Sequence, residues 1–297
     1  MYSLLQAITR FAGSIERWYE SLMLIPRKIL FLLLFLTYLP SAYAEKSHLE
    51  YKNTVVLKGN PSTLLTIPSL SYRLEFSSAQ VGISIRPLIS ITQFRPGLDL
   101  EISPFPYLKI LAGYERAYYL QSLFTFRNAS SDWSDGSRSR SSGISARADF
   151  FHASLHAKIP IKSFIFRNQF KLSYAKFDVQ GNDEIVYDEL LDIPLPIEGL
   201  SYTNEFDALY VPNSKWIFGL RYTTSKALVD EDPNGSTHRV GPLVSHVFYA
   251  KHGALVDSIS GFILLNWYIK HRFRTGLEVS PLLPYSAIGF TVTGTFL

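Results

Sequence analysis

The chain has 297 residues, 47% of them hydrophobic and 18% charged, with a formal net charge of +4 and no cysteine. The missing cysteine excludes disulfides and thiolate chemistry. Much of the positive charge comes from Arg10, Arg17, Arg27 and Lys28. Without residues 1–44 (those four, Glu16 and Glu20), 29 − 4 = 25 basic residues face 25 − 2 = 23 acidic ones, or +2. That balance gives nucleic-acid binding no support.

The first element is a secretion signal. Arg27 and Lys28 precede the apolar run Ile29 to Leu36, and Ala42-Tyr43-Ala44 follows. A basic start, a short apolar core and an A-x-A site predict a signal peptide over 1–44, cleaved after Ala44. The run is too short for a spanning helix, which needs about 20 apolar residues. Residues 1–22 read as an extension upstream of a start at Met23.

From 45 to 297 the apolar residues fall one in two, the period of a β-strand. Strands are predicted over 49–57, 64–77, 80–93, 97–103, 107–126, 143–158, 163–178, 200–211, 215–229, 239–250, 260–280 and 286–296. Many exceed the five to six residues of a strand in a soluble sheet. The connections sort by length. Those at 127–142, 179–199 and 230–238 are long and polar, while 104–106, 159–162 and 212–214 are tight. Alternate long and short connections, with both termini on one side, are the plan of a membrane barrel. The expected fold is all-β, a single antiparallel transmembrane β-barrel of about twelve strands, with ten or fourteen as alternatives. Pro61, Pro68, Pro87 and Pro96 interrupt 58–103, where ladder pairing is least expected. An apolar parity switch at Phe150-Phe151 predicts a β-bulge.

The last strand reads SAIGFTVTGTFL. Ile288, Phe290, Val292 and Phe296 fall on one face, and Gly289, Thr291, Thr293 and Thr295 on the other. With the signal peptide, this ending resembles bacterial outer-membrane β-barrel proteins, porin-like in size. The resemblance implies location in the outer membrane of a Gram-negative cell. It also implies contact with outer-membrane lipid and lipopolysaccharide, and recognition of the final strand by the barrel-assembly machinery. In that family an aromatic residue closes the chain; here Leu297 follows Phe296.

Charges on the opposite face must line water or pair, because a basic residue at the bilayer midplane costs about 2–4 kcal/mol. The expected lumen-lining residues are a basic ladder of Lys270, Arg272 and Arg274, a second of Arg167 and Lys171, and Arg147, Asp149, Arg221, His152 and His156. A ladder of one sign biases ion passage. The leading expectation is therefore a passive channel for small polar or anionic solutes, with no cofactor, metal or catalytic residue. A closed structural barrel presenting loops 127–142 and 179–199 is the alternative, and a lumen filled by arginine–carboxylate pairs would favour it. A third reading is enzymatic. His152-Ala153-Ser154 resembles the His-x-Ser of the outer-membrane phospholipase family, also twelve-stranded, with Asn168 as a third member. Against it, Leu155 and His156 stand where that family has Asn-Gly, and Asn168 shares a face with Phe164, Phe166 and Phe170. Asp183, Glu184, Asp188, Glu189 and Asp192 lack calcium-loop spacing and read as a solvated acidic loop.

Overall fold

The computed structural model describes residues 45–59, 62–119, 126–129, 146–178, 185–188, 192–229, 236–251, 256–271 and 284–296. The expected signal peptide over 1–44 lies outside them. In chain order the strands are β1 (Lys46–Gly59), β2 (Thr63–Glu75), β3 (Gln80–Ile85), β4 (Leu88–Ser90), β5 (Gln93–Arg95), β6 (Gly97–Phe105), β7 (Leu108–Tyr119), β8 (Phe126–Ala129) and β9 (Ala146–Ile161). They continue as β10 (Phe164–Asp178), β11 (Ile185–Asp188), β12 (Ile193–Pro196), β13 (Glu198–Tyr210), β14 (Trp216–Leu228), β15 (Ser236–Ala250), β16 (Ser258–Lys270) and β17 (Tyr285–Phe296).

Each barrel strand pairs antiparallel with its sequence neighbours, and β17 closes the ring on β1 from Leu49↔Phe296 to Gly59↔Ser286. The pieces β3 and β4 form one stave broken at Arg86-Pro87, and β5 and β6 form another broken at Pro96. The result is a closed barrel of twelve strands. Two of the four interrupting prolines do break a stave. Pro68 does not; it sits inside β2 opposite Asn53.

Short connections at 76–79, 106–107 and 162–163 share one end with the start of β1 and the end of β17. Lys162 takes a left-handed φ of 52° in the two-residue turn between β9 and β10. The strand ends that lead into the long connections lie at the other end, the outer end on that asymmetry. Exposed Val55, Leu57, Ile110, Leu155, Phe170, Leu220, Ile263 and Phe290 form a belt around the outside. On β9 the belt runs from Phe151 to Ile161, roughly 34 Å of strand. At a 35–45° tilt it spans about 25 Å, the apolar height of a membrane barrel.

Two expected irregularities differ. No bulge interrupts β9, whose pairing with β10 is unbroken from Arg147 to Ile161. A bulge lies instead in β16. His238 pairs with Lys270 and Arg239 with Tyr268, leaving Ile269 as the extra residue. The strand expected over 260–280 ends at Lys270.

Candidate functional site

The outer half of the lumen is occupied by the chain itself. The hairpin β11–β12, joined on its other edge by β8, forms a separate three-stranded sheet. Val186 and Leu195 of this hairpin are buried against Ala117, Tyr119, Ala146, Ala148, Phe150, Ala175 and Phe177 of the barrel wall. All seven point inward from β7, β9 and β10. The parity switch at Phe150 thus has a different cause from a bulge: the wall turns apolar side chains inward because the hairpin supplies an apolar partner.

Two aspartates pin the hairpin. Asp192, 0% exposed, pairs with Arg239 of β15. It also accepts hydrogen bonds from the Tyr268 hydroxyl at 2.8 Å and His271 Nε2 at 3.2 Å. Its φ of 57° and its N–H bond to the Asp188 carbonyl at 2.7 Å close the hairpin tip. Asp188 accepts from the Tyr119 hydroxyl at 3.1 Å and lies 3.9 Å from Arg95. Both arginines lie over aromatic rings, Arg95 at 3.8 Å from the Phe150 centroid and Arg239 at 4.3 Å from that of Tyr285. Stacking of this kind holds the planar guanidinium ready for a carboxylate.

Below the hairpin lies an ion-pair cluster. Asp99, Gly113 and His152 stand opposite one another on β6, β7 and β9. Gly113 carries no side chain, so Asp99 and His152 meet across it, with His152 Nε2 3.0 Å from Asp99 Oδ1. Glu115 meets Arg95 at 2.5 Å, Arg86 at 3.3 Å and Lys171 at 3.4 Å. Asp99, Glu115 and His152 bring possible ligand atoms within 4.8 Å of one another. Arg86 already holds Asp99 at 3.0 Å, so a cation entering there must displace three basic side chains. The geometry is that of an ion-pair cluster, in which Asp99, Glu115 and, through Arg95, Asp188 face Arg86, Arg95 and Lys171. Replacing Gly113 with valine places a Cβ 2.1 Å from Asp99 Oδ1 and 2.6 Å from His152 Cε1. Overpacking of this kind costs about 1–3 kcal/mol. The expected result is a lower urea midpoint, read from the loss of heat-shifted gel migration.

The inner half holds further pairs. Asp207 bridges Arg167 at 2.8 Å and Arg221 at 2.7 Å, and Arg221 reaches Glu205 at 3.1 Å. Arg73 joins Glu50 and Glu101, and Glu101 meets Lys109 at 2.7 Å. Lys52, on the inward face of β1, forms no salt bridge among the described residues and is exposed. Exposure at an inward position halfway along a strand means that water reaches the inner half. Inward Val56, Leu65, Leu209, Leu243, Leu264 and Tyr285, from β1, β2, β13 and β15 to β17, form one buried apolar cluster.

Of the expected lumen residues, Arg167, Lys171, Arg221, His152 and His156 take inward positions, and the first four join the pairs above. Arg147 and Asp149 do not. Without a bulge they face outward, and Asp149 binds Arg116 at 2.8 and 3.0 Å and the Tyr114 hydroxyl at 2.5 Å on the outside. Lys270, expected in the lumen, also faces outward. The bulge at Ile269 turns it outward, 3.4 Å from Ser236, and delivers His271 to Asp192 in its place. Arg272 and Arg274 lie outside the described residues.

The His152–Ser154–Asn168 arrangement does not assemble. His152 Nδ1 has no hydrogen-bond partner, and Ser154 makes none with His152. Asn168 faces outward, bonded to Asn204 at 2.9 Å. Asp188 and Asp192, expected in a solvated loop, are both buried. The sequence signal for them was the apolar stretch Ile193-Pro194-Leu195-Pro196-Ile197 inside an acidic connection. Arg239 and His271 carried no signal of their own.

No protein-family model matches the chain, and no curated protein matches it. Among solved structures the fold is similar to the NanC porin, at 9% identity and TM-score 0.38, covering 83% of this chain and 98% of that one. It is similar to the outer-membrane protein Omp33 of Acinetobacter baumannii, at 10% identity and TM-score 0.39, covering 84% and 98%. LpxR from Salmonella typhimurium is similar at 11% identity and TM-score 0.38, covering 83% and 100%. Likeness at this level concerns the barrel fold alone.

Proposed function

We propose that this protein is a bacterial outer-membrane β-barrel, closed at its outer end in the ground state by its own acidic hairpin. The observation that carries the reading is Asp192, fully buried and held by Arg239, Tyr268 and His271 from two wall strands. The apolar belt supports insertion in a bilayer, and the predicted signal peptide supplies export. The exposed final strand edge at assembly, before β17 meets β1, is the segment available to the assembly machinery.

The solute class follows from the inner half. Water reaches Lys52 there, and Lys109 of β7 and Arg167 and Lys171 of β10 are partly exposed inward cations, each also paired with a carboxylate. Charge in a narrow low-dielectric bore is weakly screened, so this half favours small anionic solutes whenever the hairpin withdraws. The unpaired dyad of His152 and Ser154 gives hydrolysis no support. The test is reconstitution of the folded barrel in planar bilayers. The expected result is a heat-shifted gel band with no steady conductance. Large ohmic conductance from the unaltered protein would overturn the closed state.

A further inference from the structure

At mid-height of the apolar belt two side-chain amides face outward side by side. Asn168 of β10 donates through Nδ2 to Asn204 Oδ1 of β13 at 2.9 Å. Asn168 stands four residues above Phe164 at the inner end of β10, and Asn204 six residues above Tyr210 at the inner end of β13. At about 3.4 Å per residue and a 35–45° tilt, they lie roughly 10 and 16 Å above the inner edge of a belt about 25 Å tall. Hydrocarbon at that depth holds no water, and lipid tails neither donate nor accept a hydrogen bond. An amide carries two donor protons and a carbonyl acceptor. The single bond between the pair leaves Asn168 Oδ1 and both protons of Asn204 Nδ2 unspent, and neither residue makes another side-chain hydrogen bond among the described residues. Thr224, opposite Asn204 on β14, adds a hydroxyl oxygen that is buried without a partner.

The surface around the amides is ordered. Register sets Asn168 opposite Phe206 and Phe170 opposite Asn204, so the amides meet on one diagonal. Toward the inner end Phe166 and Phe206 stack at 6.5 Å and 24°. Toward the outer end Phe170 and Tyr202 stack at 6.0 Å and 25°. Paired rings supply large apolar contact area on both sides of the polar centre. On β9 the neighbour of Asn168 is Ala157, too small to cover it.

We infer that this face joins two copies of the chain side by side in the membrane, about a two-fold axis along the bilayer normal. In a two-fold contact residue i of one copy meets residue j of the other, and j meets i. Asn168 offers the spare acceptor and Asn204 the spare donors, so each copy supplies what the other lacks. The two amides touch and therefore lie at one level, as an axis along the normal requires. The ring pairs above and below then meet their counterparts. A lipid tail satisfies none of these polar groups. An unrelated protein would need a donor and an acceptor at this same depth, which a second copy provides by symmetry. The opposite arc has a polar pair of its own, Thr66 donating to Asn53 Oδ1 at 2.9 Å, but aliphatic Val55, Pro68 and Val292 border it. The dimer rests on the reading of the chain as a membrane barrel, since water would satisfy the same amides.

The test uses the full folded barrel in phosphatidylcholine vesicles. Lys215→Cys, in an inner turn, carries a donor dye on some copies and an acceptor on others. Energy transfer is followed as lipid is added, which separates chance neighbours but not dimers. One variant carries Asn168→Leu and Asn204→Leu; the comparison variant carries Asn53→Leu and Thr66→Val. Transfer in the unaltered surface should persist on dilution and fall when unlabelled copies are added. The paired asparagine substitutions should raise the apparent dissociation constant about tenfold, and the comparison variant should leave it unchanged. Heat-shifted migration should be kept in both, because leucine and valine suit a lipid-facing position. Native mass spectrometry of the extracted barrel should show two copies. Transfer no greater than that of chance neighbours, undiminished association without the two asparagines, weakened association in the comparison variant, or single copies carrying only retained lipid would each overturn the dimer. Failure of the unaltered chain to insert in vesicles and migrate with a heat shift would instead defeat the membrane-barrel reading and take the dimer with it.

Discussion

Replacing Asp192 with alanine should open the barrel. The substitution leaves Arg239 buried in the wall without its carboxylate, a loss of roughly 3–5 kcal/mol for a buried pair broken on one side. It also removes the acceptor for Tyr268 and His271. What then holds the hairpin is the burial of Ile185, Val186 and Leu195 and the contact of Asp188 with Tyr119. Full burial of an aliphatic side chain contributes about 1.5–3 kcal/mol, and ordering each backbone residue costs about 1–2. These nearly cancel over a hairpin of this size, so the Asp192 contacts decide the closed state. The D192A protein should show steady conductance steps with anion preference in planar bilayers where the unaltered chain is silent. Asp192→Asn should fall between, since the amide still accepts from Tyr268 but no longer neutralises Arg239. A silent D192A barrel would mean that the apolar contacts alone suffice.

Replacing Gly241 with valine should prevent assembly altogether. A Cβ on Gly241 would lie 1.8 Å from the Leu265 carbonyl oxygen and 2.9 Å from Asn266 Cα. These are backbone atoms of the adjacent strand, so the clash is relieved only by parting β15 from β16 and opening the ring. Close backbone approach is the reason for glycine here. Gly261 offers a contrast, because its Cβ would meet only ring atoms of Phe248 at 2.9 Å and Phe290 at 3.2 Å, which can turn away. G241V should give no heat-shifted band on refolding, while Gly261→Ala should still fold. A normally migrating G241V barrel would contradict the close approach.

Strand alternation reads directly where one face meets lipid and the other meets water. The last strand, expected over 286–296, is found at Tyr285–Phe296, and that expected over 163–178 is found at Phe164–Asp178. The reading fails where something other than water fills the lumen. At Phe150 an inward apolar residue mimics a bulge, because the hairpin it packs against lies 35 residues or more away in sequence. The error reverses Arg147 and Asp149, since a shift of one residue moves every side chain to the other face. At Ile269 the opposite happens. A real bulge leaves the alternation of polar and apolar residues intact through Lys270, so nothing local announces it. Asp192 looks like any loop aspartate until Arg239 and His271 are brought to it by the closed ring.

In the closed state proposed above, the hairpin lies inside the barrel and fills the outer half, while water fills the inner half. The chain has no cysteine, so single cysteines can be introduced at Leu195 and Lys52 and exposed to a membrane-impermeant maleimide. Lys52→Cys should label rapidly and Leu195→Cys should be strongly protected, the latter protection lost on adding D192A. Labelling of Leu195→Cys as fast as Lys52→Cys in the otherwise unaltered barrel would contradict the closed state.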